Sequence, residues 1–235
     1  MADSITSAPP QTYPRPAVAV DLVIFTIIDT DLKLLLIRRG IAPHQGMWAL
    51  PGGFVRVGDA VADQGESVEA AAHRELAEET GLPAGSAWLE QLYTFGTPYR
   101  DPPMRVISVS WFALIRPDLA PLVTAGTDAE AVRWFSLSQQ PPLAFDHDRM
   151  VSAAVERIQG KLDYAPIAFE LVPPTFTISE LRQVFEAIKG STYDRGNFRR
   201  RFNRMLEDRT IVLAPGKRQT TSRPAKVYAF NRSRS

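Results

Sequence analysis

Residues 66–82, ESVEAAAHRELAEETGL, constrain the fold of this chain more than any other stretch. Their small and apolar side chains recur with the period of an α-helix, and Gly81 stands where such a helix would end. Glu75 and Glu79 are four residues apart, so both carboxylates leave one face of the helix, with Cβ atoms roughly 5–6 Å apart. The stretch therefore predicts an amphipathic helix with an acidic face.

Two interpretations of this acidic face stay open on spacing alone. Mg²⁺ is commonly held by one or two carboxylates together with waters and substrate phosphates, and Glu78, one turn from Glu75, is placed to add a water-mediated ligand. Alternatively, a helix with several glutamates is a solvated surface without further role. We also expect Arg74 to pair back to Glu66, eight residues earlier, and so to fix the loop that leads into the helix.

The acidic helix follows a short apolar run, WALPGGFV at residues 48–55. Together they resemble the Nudix box, the pattern Gly, five residues, Glu, seven residues, Arg-Glu-U-x-Glu-Glu-x-Gly-U, in which U is aliphatic. The resemblance implies a Nudix-type α/β/α sandwich, Glu75 and Glu79 as ligands of Mg²⁺ or Mn²⁺, and Glu78 and Glu79 as catalytic carboxylates if the chain is a hydrolase. The second half of the pattern matches without a gap at Glu66, Arg74, Glu75, Leu76, Glu78, Glu79, Gly81 and Leu82.

The first glycine of the pattern is displaced. The family has it six residues before the glutamate, where this chain has Ala60, whereas Gly53 is separated from Glu66 by twelve residues. We interpret the extra residues as an insertion within 58–65, in the loop between strand and helix. We expect the insertion to shift the backbone carbonyl that binds metal in the family and to leave the glutamate ligands in place.

The charge of the chain is divided unequally along its length. Residues 1–163 hold 13 Lys and Arg against 20 Asp and Glu, a net charge of −7, whereas residues 164–235 hold 14 against 6, a net charge of +8. Such a division predicts two domains with different partners, of which the basic one binds a polyanion. Because the chain contains no cysteine, it has no disulfide and no thiolate chemistry, which agrees with a cytoplasmic location.

Residues 1–16 contain four prolines and little that a core would bury, so we expect a disordered arm without the apolar segment of a signal peptide. The apolar run at 17–28 is too short for a membrane span and contains Asp21, so we expect no membrane partner. Residues 18–28 and 33–39 predict two strands of a hairpin, with further strands at 48–50, 54–56, 88–97, 106–115 and 131–136. A helix from Asp146 to about residue 160 completes a domain that we place at 17–163.

Several residues of this first domain are candidates for binding a nucleotide, because aromatic rings suit an adenine and guanidinium groups suit phosphates. The alternatives are ordinary: Phe95 is equally suited to the core, an arginine at a strand end faces solvent, and His147 is the first residue of a helix. The candidates are Arg38, Arg39, Phe54, Tyr93, Phe95, Arg100 and Arg105.

Residues 161–174 have the composition of a connector, and we place a second domain at 164–235. Thr177 and Glu180 form a capping-box pattern at the start of a helix that Gly190 ends. A turn leads to Asp194 and a second helix, and residues 211–213 and 227–230 predict two strands around a basic loop at 215–226. This order of elements predicts a winged helix-turn-helix, so the fold class is α+β: a Nudix-type sandwich followed by a winged helix.

The second helix of this domain would enter the major groove of DNA, where arginine reads guanine and asparagine reads adenine. Residues 195–204 contain no acidic residue, whereas a merely solvated helix would intersperse glutamates among its arginines. The alternative is a basic surface for an acidic protein. The candidate DNA contacts are Arg195, Asn197, Arg199, Arg200, Arg201, Arg204, Lys217, Arg218, Arg223 and Lys226.

A Nudix-like domain followed by such a winged helix resembles the Nudix-related transcriptional regulators of NAD metabolism, over about residues 18–230. The resemblance implies a homodimer that binds a palindromic operator and senses ADP-ribose or a related nucleotide, acting as a repressor of NAD genes. A second hypothesis is a Mg²⁺-dependent ADP-ribose pyrophosphohydrolase, since the acidic set is intact. We favour regulation, because a hydrolase has no need of the second domain.

Overall fold

The computed structural model describes residues 14–58, 63–83, 85–102, 104–124, 129–219 and 223–234. Residues 1–13 of the predicted arm therefore lie outside the described residues. Among the helices of the described ranges, none combines the length and apolar character that a membrane span requires.

A seven-stranded mixed sheet forms the centre of the N-terminal domain. Strand order is β3-β2-β1-β6-β5, with β4 also paired to β1 and β7 also paired to β2; β1 and β6 are parallel. The predicted hairpin is confirmed, because β1 and β2 pair through a turn at Asp29 and Thr30 whose φ angles are 52° and 63°. The strands are β1 (Ala17–Ile28), β2 (Asp31–Arg39), β3 (Trp48–Ala49), β4 (Gly52–Phe54), β5 (Ala87–Phe95), β6 (Val106–Ile115) and β7 (Ala129–Ser136).

Two helices cover the two faces of this sheet, as the α/β/α prediction requires. Side chains alternate between the faces along β1. Leu22 and its alternate neighbours pack against α1 (Val68–Thr80), whereas Val23 and Phe25 belong to the core that contains residues of α2 (His147–Lys161). The sandwich places the N-terminal part of β1 beside the acidic helix on one face and beside the start of α2 on the other.

The C-terminal domain is a winged helix. It consists of α3 (Ile178–Lys189), α4 (Arg195–Glu207) and the hairpin of β8 (Ile211–Arg218) and β9 (Ala225–Phe230). The capping box predicted at Thr177 and Glu180 is present, Gly190 ends α3 in the left-handed conformation with φ 70°, and the Asp194 side chain caps α4. These local signals were readable because each one satisfies backbone groups that a helix end leaves unpaired.

Three predicted details differ from the structure. β4 begins at Gly52, not Phe54, since the two glycines pair with β1. β8 continues to Arg218, so part of the expected basic loop is strand, with a register shift between Leu213 and Lys217. Asp146 precedes α2 but its side chain makes no cap hydrogen bond, because its carboxylate accepts one from Arg100 Nη2 at 2.7 Å.

The two domains share one hydrophobic core. A 3₁₀ helix at Pro166–Leu171 is buried where the domains meet, and Phe169 within it stacks on Phe230 of β9 with ring centroids 4.4 Å apart. Gln159 Nε2 of α2 donates to the backbone oxygen of Ile188 in α3 at 3.0 Å. The boundary between 163 and 164 stays a prediction, since the packing is continuous across it.

Candidate functional site

A cleft of about 730 Å³ opens at the end of the sheet beside the acidic helix. It is bounded by α1, by the two glycines of β4, by the loop at residues 39–43, and by Arg100, Asp101 and Met104 together with the start of α2. Both predicted metal ligands, Glu75 and Glu79, line it, as does Glu78. The structure therefore brings the acidic helix face to a concave surface, where Glu75 and Glu79 are buried and Glu78 is about half exposed.

Arg74 joins the acidic side chains at this end of the cleft. Its Nη2 donates to Glu66 Oε1 at 2.6 Å, and its Nη1 donates to Glu75 Oε1 at 2.6 Å and to Glu78 Oε2 at 3.0 Å. The hydrogen bonds from Arg74 and from the backbone of Arg56 lower the pKa of Glu66 to about 2. The predicted pairing of Arg74 with Glu66 is thus confirmed.

The ends of the predicted insertion meet at the base of their loop. The backbone N–H of Glu66 donates to the oxygen of Arg56 at 3.0 Å, and the N–H of Arg56 donates to Glu66 Oε1 at 2.8 Å. Arg56 Nη2 also contacts Glu78 Oε1 at 3.0 Å. Residues 59–62 of the insertion lie outside the described residues. The added residues therefore leave Arg56 and Glu66 bonded to each other across the loop.

Glu75 has the surroundings of a metal-binding carboxylate. It is buried, and burial raises its pKa although Arg74 acts in the opposite direction. The backbone of Gly53 closes over it, so that a Cβ on Gly53 would lie 2.2 Å from Glu75 Oε1. The described residues contain no group of three or more acidic, His or Cys side chains arranged for a metal. Two helix carboxylates with waters and ligand phosphates nevertheless suffice for Mg²⁺, so the donor set fits such an ion.

The predicted nucleotide-binding residues divide into two groups. Arg39, Phe54 and Arg100 line the cleft, whereas Arg38, Tyr93, Phe95 and Arg105 are not among its lining residues. Tyr93 and Phe95 pack edge to face on β5, at the other edge of the sheet from β3. Arg38 and Arg105 donate to backbone oxygens of Gly46 and Thr97. These contacts hold both guanidinium groups in the neighbouring loops.

Two cleft residues were missed as site candidates from the sequence. Asp21 on β1 and His147 at the start of α2 both line the cleft and are 3.5 Å apart between Asp21 Oδ1 and His147 Nε2. Leu50 N–H donates to His147 Nδ1 at 2.9 Å. Burial lowers the pKa of His147, so the ring is neutral. The available signal was the lone carboxylate within an apolar strand of twelve residues.

Most predicted DNA contacts are exposed, on α4 and on the β8–β9 hairpin. Phe198 and Phe202 anchor the opposite face of α4 in the core. On the hairpin, Lys217 and Lys226 are exposed and directly opposite each other, an arrangement of like charges that is unfavourable without a counter-ion. The exposed members of the predicted set are Arg195, Asn197, Arg199, Arg200, Arg204, Lys217, Arg223 and Lys226.

Two predicted DNA contacts are directed elsewhere. Arg201 Nη1 bonds Asp163 Oδ1 at 2.6 Å, its Nη2 donates to the Leu162 backbone oxygen at 3.0 Å, and its guanidinium lies 4.5 Å from the Phe185 ring centroid. Arg218 Nη1 bonds Glu180 Oε1 at 2.7 Å. Arg201 follows Phe198 by three residues, so helical geometry places it on the inner side of α4, where it joins the two domains.

Comparison with known proteins decides the family. Residues 17–154 match the NUDIX domain, and residues 168–230 match the NrtR DNA-binding winged helix domain. The chain belongs to the NrtR family. Nudix domains generally use a divalent metal ion, whose identity here is not fixed by the match.

Individual NrtR relatives cover most of the chain. The ADPR responsive transcriptional repressor NtrR of Acinetobacter baylyi is 35% identical over 220 residues, which is 93% of this chain and 83% of that protein. The crystal structure of Shewanella oneidensis NrtR complexed with a 27mer DNA is 32% identical, with TM-score 0.77, and covers 91% of this chain and 93% of that chain.

A third relative matches the N-terminal domain. The ADP-ribose pyrophosphatase of Methanocaldococcus jannaschii is 42% identical over 139 residues, 59% of this chain and 73% of that protein. The chain is therefore similar both to a regulator along its length and to a hydrolase over its Nudix domain.

Gly53→Ala tests the metal site. The added methyl would meet the Glu75 carboxylate, which is the mobile end of its side chain, so we expect the fold to survive and the carboxylate to move. Binding of Mn²⁺, followed by electron paramagnetic resonance, should weaken by about tenfold or more, as expected for loss of one charged ligand contact. Gly160→Ala, where a Cβ meets nothing within 4 Å, is the control. Equal Mn²⁺ affinity of both variants would contradict this assignment.

Arg199→Ala and Arg201→Ala separate DNA contacts from domain packing. Arg199 is exposed, so its loss should reduce the slope of log affinity against log salt by about 0.9 on a duplex enriched from a random pool. Arg201→Ala should leave that slope unchanged and lower the melting temperature, because the Leu162 backbone oxygen loses its donor and the Phe185 ring loses the guanidinium packed on it. The assignment is wrong if Arg201→Ala changes the salt slope and Arg199→Ala does not.

Proposed function

We propose that this chain is a cytoplasmic transcriptional repressor of NAD biosynthesis or salvage genes that responds to ADP-ribose or a related nucleotide. One observation carries the proposal: an acid-lined cleft and an exposed arginine helix belong to domains that share a single core. The regulator relatives are similar over nearly the whole chain, so both halves of this arrangement have counterparts in them.

The basic surface supports duplex DNA as the partner. In a winged helix, α4 enters the major groove, where Arg199 and Arg200 are placed to read guanine and Asn197 to read adenine. Lys217 and Lys226 would bind phosphates, which relieves the repulsion between these opposed side chains. We propose a homodimer on a palindromic operator, since two-fold symmetry matches half-sites about one helical turn, or a multiple of it, apart.

The cleft supports a nucleotide diphosphate as the effector. Glu75 and Glu79 would hold Mg²⁺ or Mn²⁺, which would neutralise the diphosphate charge. Phe54, half-exposed at the rim, offers an aromatic face for the adenine. Arg39 also lines the cleft, near Asp21 and Asp101. Burial lowers the pKa of Arg39, and the negative charges of Asp101 and Asp21 act in the opposite direction.

Regulation requires coupling between cleft and DNA surface. The cleft reaches His147 at the start of α2, and α2 contacts α3 through Gln159. A ligand shifts the DNA-competent arrangement only if it binds the two arrangements with unequal affinity, and a tenfold preference corresponds to about 1.4 kcal/mol. The direct packing of α2 on α3 is the physical route for such a preference.

A second candidate function is hydrolysis of ADP-ribose. The closed base of the insertion, where Arg56 bonds Glu66, favours it, as does the similarity to a pyrophosphatase. The bound metal would polarise the diphosphate and lower the pKa of an attacking water. In this chain Arg74 positions Glu75 and Glu78 by hydrogen bonds, which keeps their carboxylates directed at the cleft.

Titration of ADP-ribose into the protein and a labelled operator fragment, with AMP assayed in the same tube, separates the two functions. We expect the operator affinity to change by about tenfold or more, the usual range of allosteric coupling. The control is a scrambled duplex of equal length. An operator affinity that ADP-ribose does not change would overturn the regulatory proposal. Absence of AMP with both Mg²⁺ and Mn²⁺ would rule out hydrolysis of ADP-ribose.

A further inference from the structure

A buried ionic cluster borders the cleft on the α2 side of the sheet, and neither function above gives it a contact with the ligand. We call it the Asp21 cluster. Asp21 is 8% exposed within an otherwise apolar part of β1, and burying a carboxylate costs several kcal/mol unless it is well paired. Its position therefore calls for a reason other than stability. The cluster comprises Asp21, Arg100, Ser108, Asp146 and His147.

One carboxylate oxygen of Asp21 is engaged within the protein. Ser108 Oγ donates a short hydrogen bond to Asp21 Oδ2, and Arg100 Nη2 lies 3.6 Å from the same oxygen. Arg100 is itself held by Asp146 through contacts of 2.7–3.2 Å. The other oxygen, Oδ1, faces His147 Nε2 at 3.5 Å, which is longer than a good hydrogen bond.

The hydrogen bond from Leu50 decides which nitrogen of His147 carries the proton. Because Leu50 N–H donates to Nδ1, the neutral ring carries its proton on Nε2, directed toward Asp21. The cluster thus presents one donor, His147 Nε2–H, and one acceptor, Asp21 Oδ1, side by side on residues that line the cleft. These two atoms are too far apart for a strong direct hydrogen bond.

A donor next to an acceptor suits a hydroxyl group, which both accepts and donates. A phosphate only accepts, and the local charge also opposes it. Asp21 and Asp101 line this part of the cleft together with Arg39 and Arg100, and Asp146, outside the lining, pairs with Arg100, so no net positive charge is left for a phosphate. Asp101 Oδ1 is also buried and makes no hydrogen bond within the described residues. The chemistry therefore favours a neutral polyol.

The cluster adjoins the acidic helix across the two glycines of β4. A Cβ on Gly52 would lie 3.1 Å from Asp21 Oδ1, and a Cβ on Gly53 would lie 2.2 Å from Glu75 Oε1. Consecutive residues without side chains thus separate a hydroxyl-binding pair from the proposed diphosphate site. A ligand with a hydroxyl-bearing sugar joined directly to its diphosphate fits this arrangement.

The sugar in question is the terminal one, not that of the adenosine. Phe145, next to the cluster in the cleft lining, has the Arg39 guanidinium over its ring at 4.8 Å and an edge-to-face contact with His44 at 4.6 Å between ring centroids. These contacts already occupy the ring that a base would stack on at this end. Phe54, more than half exposed, offers such a face at another point of the cleft lining.

We propose that Asp21 and His147 are specificity-determining residues that bind a hydroxyl of the terminal sugar and so distinguish ADP-ribose from ADP. A sugar hydroxyl accepts from His147 Nε2–H and donates to Asp21 Oδ1. Ser108 and Arg100 position the carboxylate by contacts with its other oxygen, Oδ2. This inference rests on the proposed nucleotide-binding function and names the part of the ligand that the cleft selects.

The first test uses the wild-type chain and two ligands of equal charge. Calorimetry with Ca²⁺ in place of Mg²⁺, to suppress turnover, compares ADP-ribose with the β-methyl ester of ADP, which lacks the sugar. We expect ADP-ribose to bind at least about tenfold more tightly, as befits one hydrogen bond to a charged group. Equal affinities would overturn the proposal, whatever the behaviour of any variant.

The second test asks whether Asp21 causes the preference for ADP-ribose over the methyl ester of ADP. Asp21→Asn presents an amide where Oδ1 accepts, and it should lower the ADP-ribose affinity by about tenfold while leaving the methyl ester within about twofold. Asp31→Asn, the same change at a partly exposed site paired with Lys33, should alter neither. If Asp21→Asn weakens both ligands equally, or neither, the assignment fails. Because no DNA is present, this outcome is independent of whether ADP-ribose regulates operator binding.

Discussion

The guanidinium of Arg74 holds the ligand side of the N-terminal domain together. It is mostly buried, and it reaches Glu66 before the helix, Glu75 and Glu78 within it, and the backbone oxygen of Phe54 on β4. Glutamates placed so close to one another would repel without this cation, and the loop into α1 would lose its anchor. The seven extra residues of that loop are tolerated because the contact is made at its base.

The connection between the domains gives the cleft a physical route to α4 and the hairpin. Interfaces between independent domains are usually polar, whereas here the 3₁₀ segment at Pro166–Leu171 is buried on both sides and continues the core of the sheet. At the surface of this interface, Arg201 of α4 forms an ion pair with Asp163. A shift in the position of the start of α2 therefore acts on the side chains of this shared core. Because the core is closely packed, these side chains have few alternative arrangements.

Local signals made much of the fold predictable from the sequence. Capping residues at Thr177 and Asp194, the alternation in β6 and the turn at residues 29–30 each act over a few positions, so they survive in any tertiary context. Glu75 and Glu79 were likewise assigned to one surface by helical period alone. These are the features that depend on spacing along the chain.

The features that sequence reasoning missed depend on which distant segments meet. Asp21 and His147 are brought together only by the fold, and along the chain Asp21 is merely a lone carboxylate in an apolar strand. Tyr93 and Phe95 suit a base by residue type, yet their strand lies away from the cleft. Arg201 has the charge of its basic neighbours, but its spacing from Phe198 places it on the inner face of α4.

The central claim is that cleft and arginine helix are energetically coupled. The most direct measurement is the affinity of ADP-ribose for the full chain, determined without DNA and again with saturating operator. Linkage requires the operator to change this affinity by the same factor by which ADP-ribose changes operator affinity. We predict equal factors of about tenfold or more. An ADP-ribose affinity that is unchanged by bound operator would contradict the account.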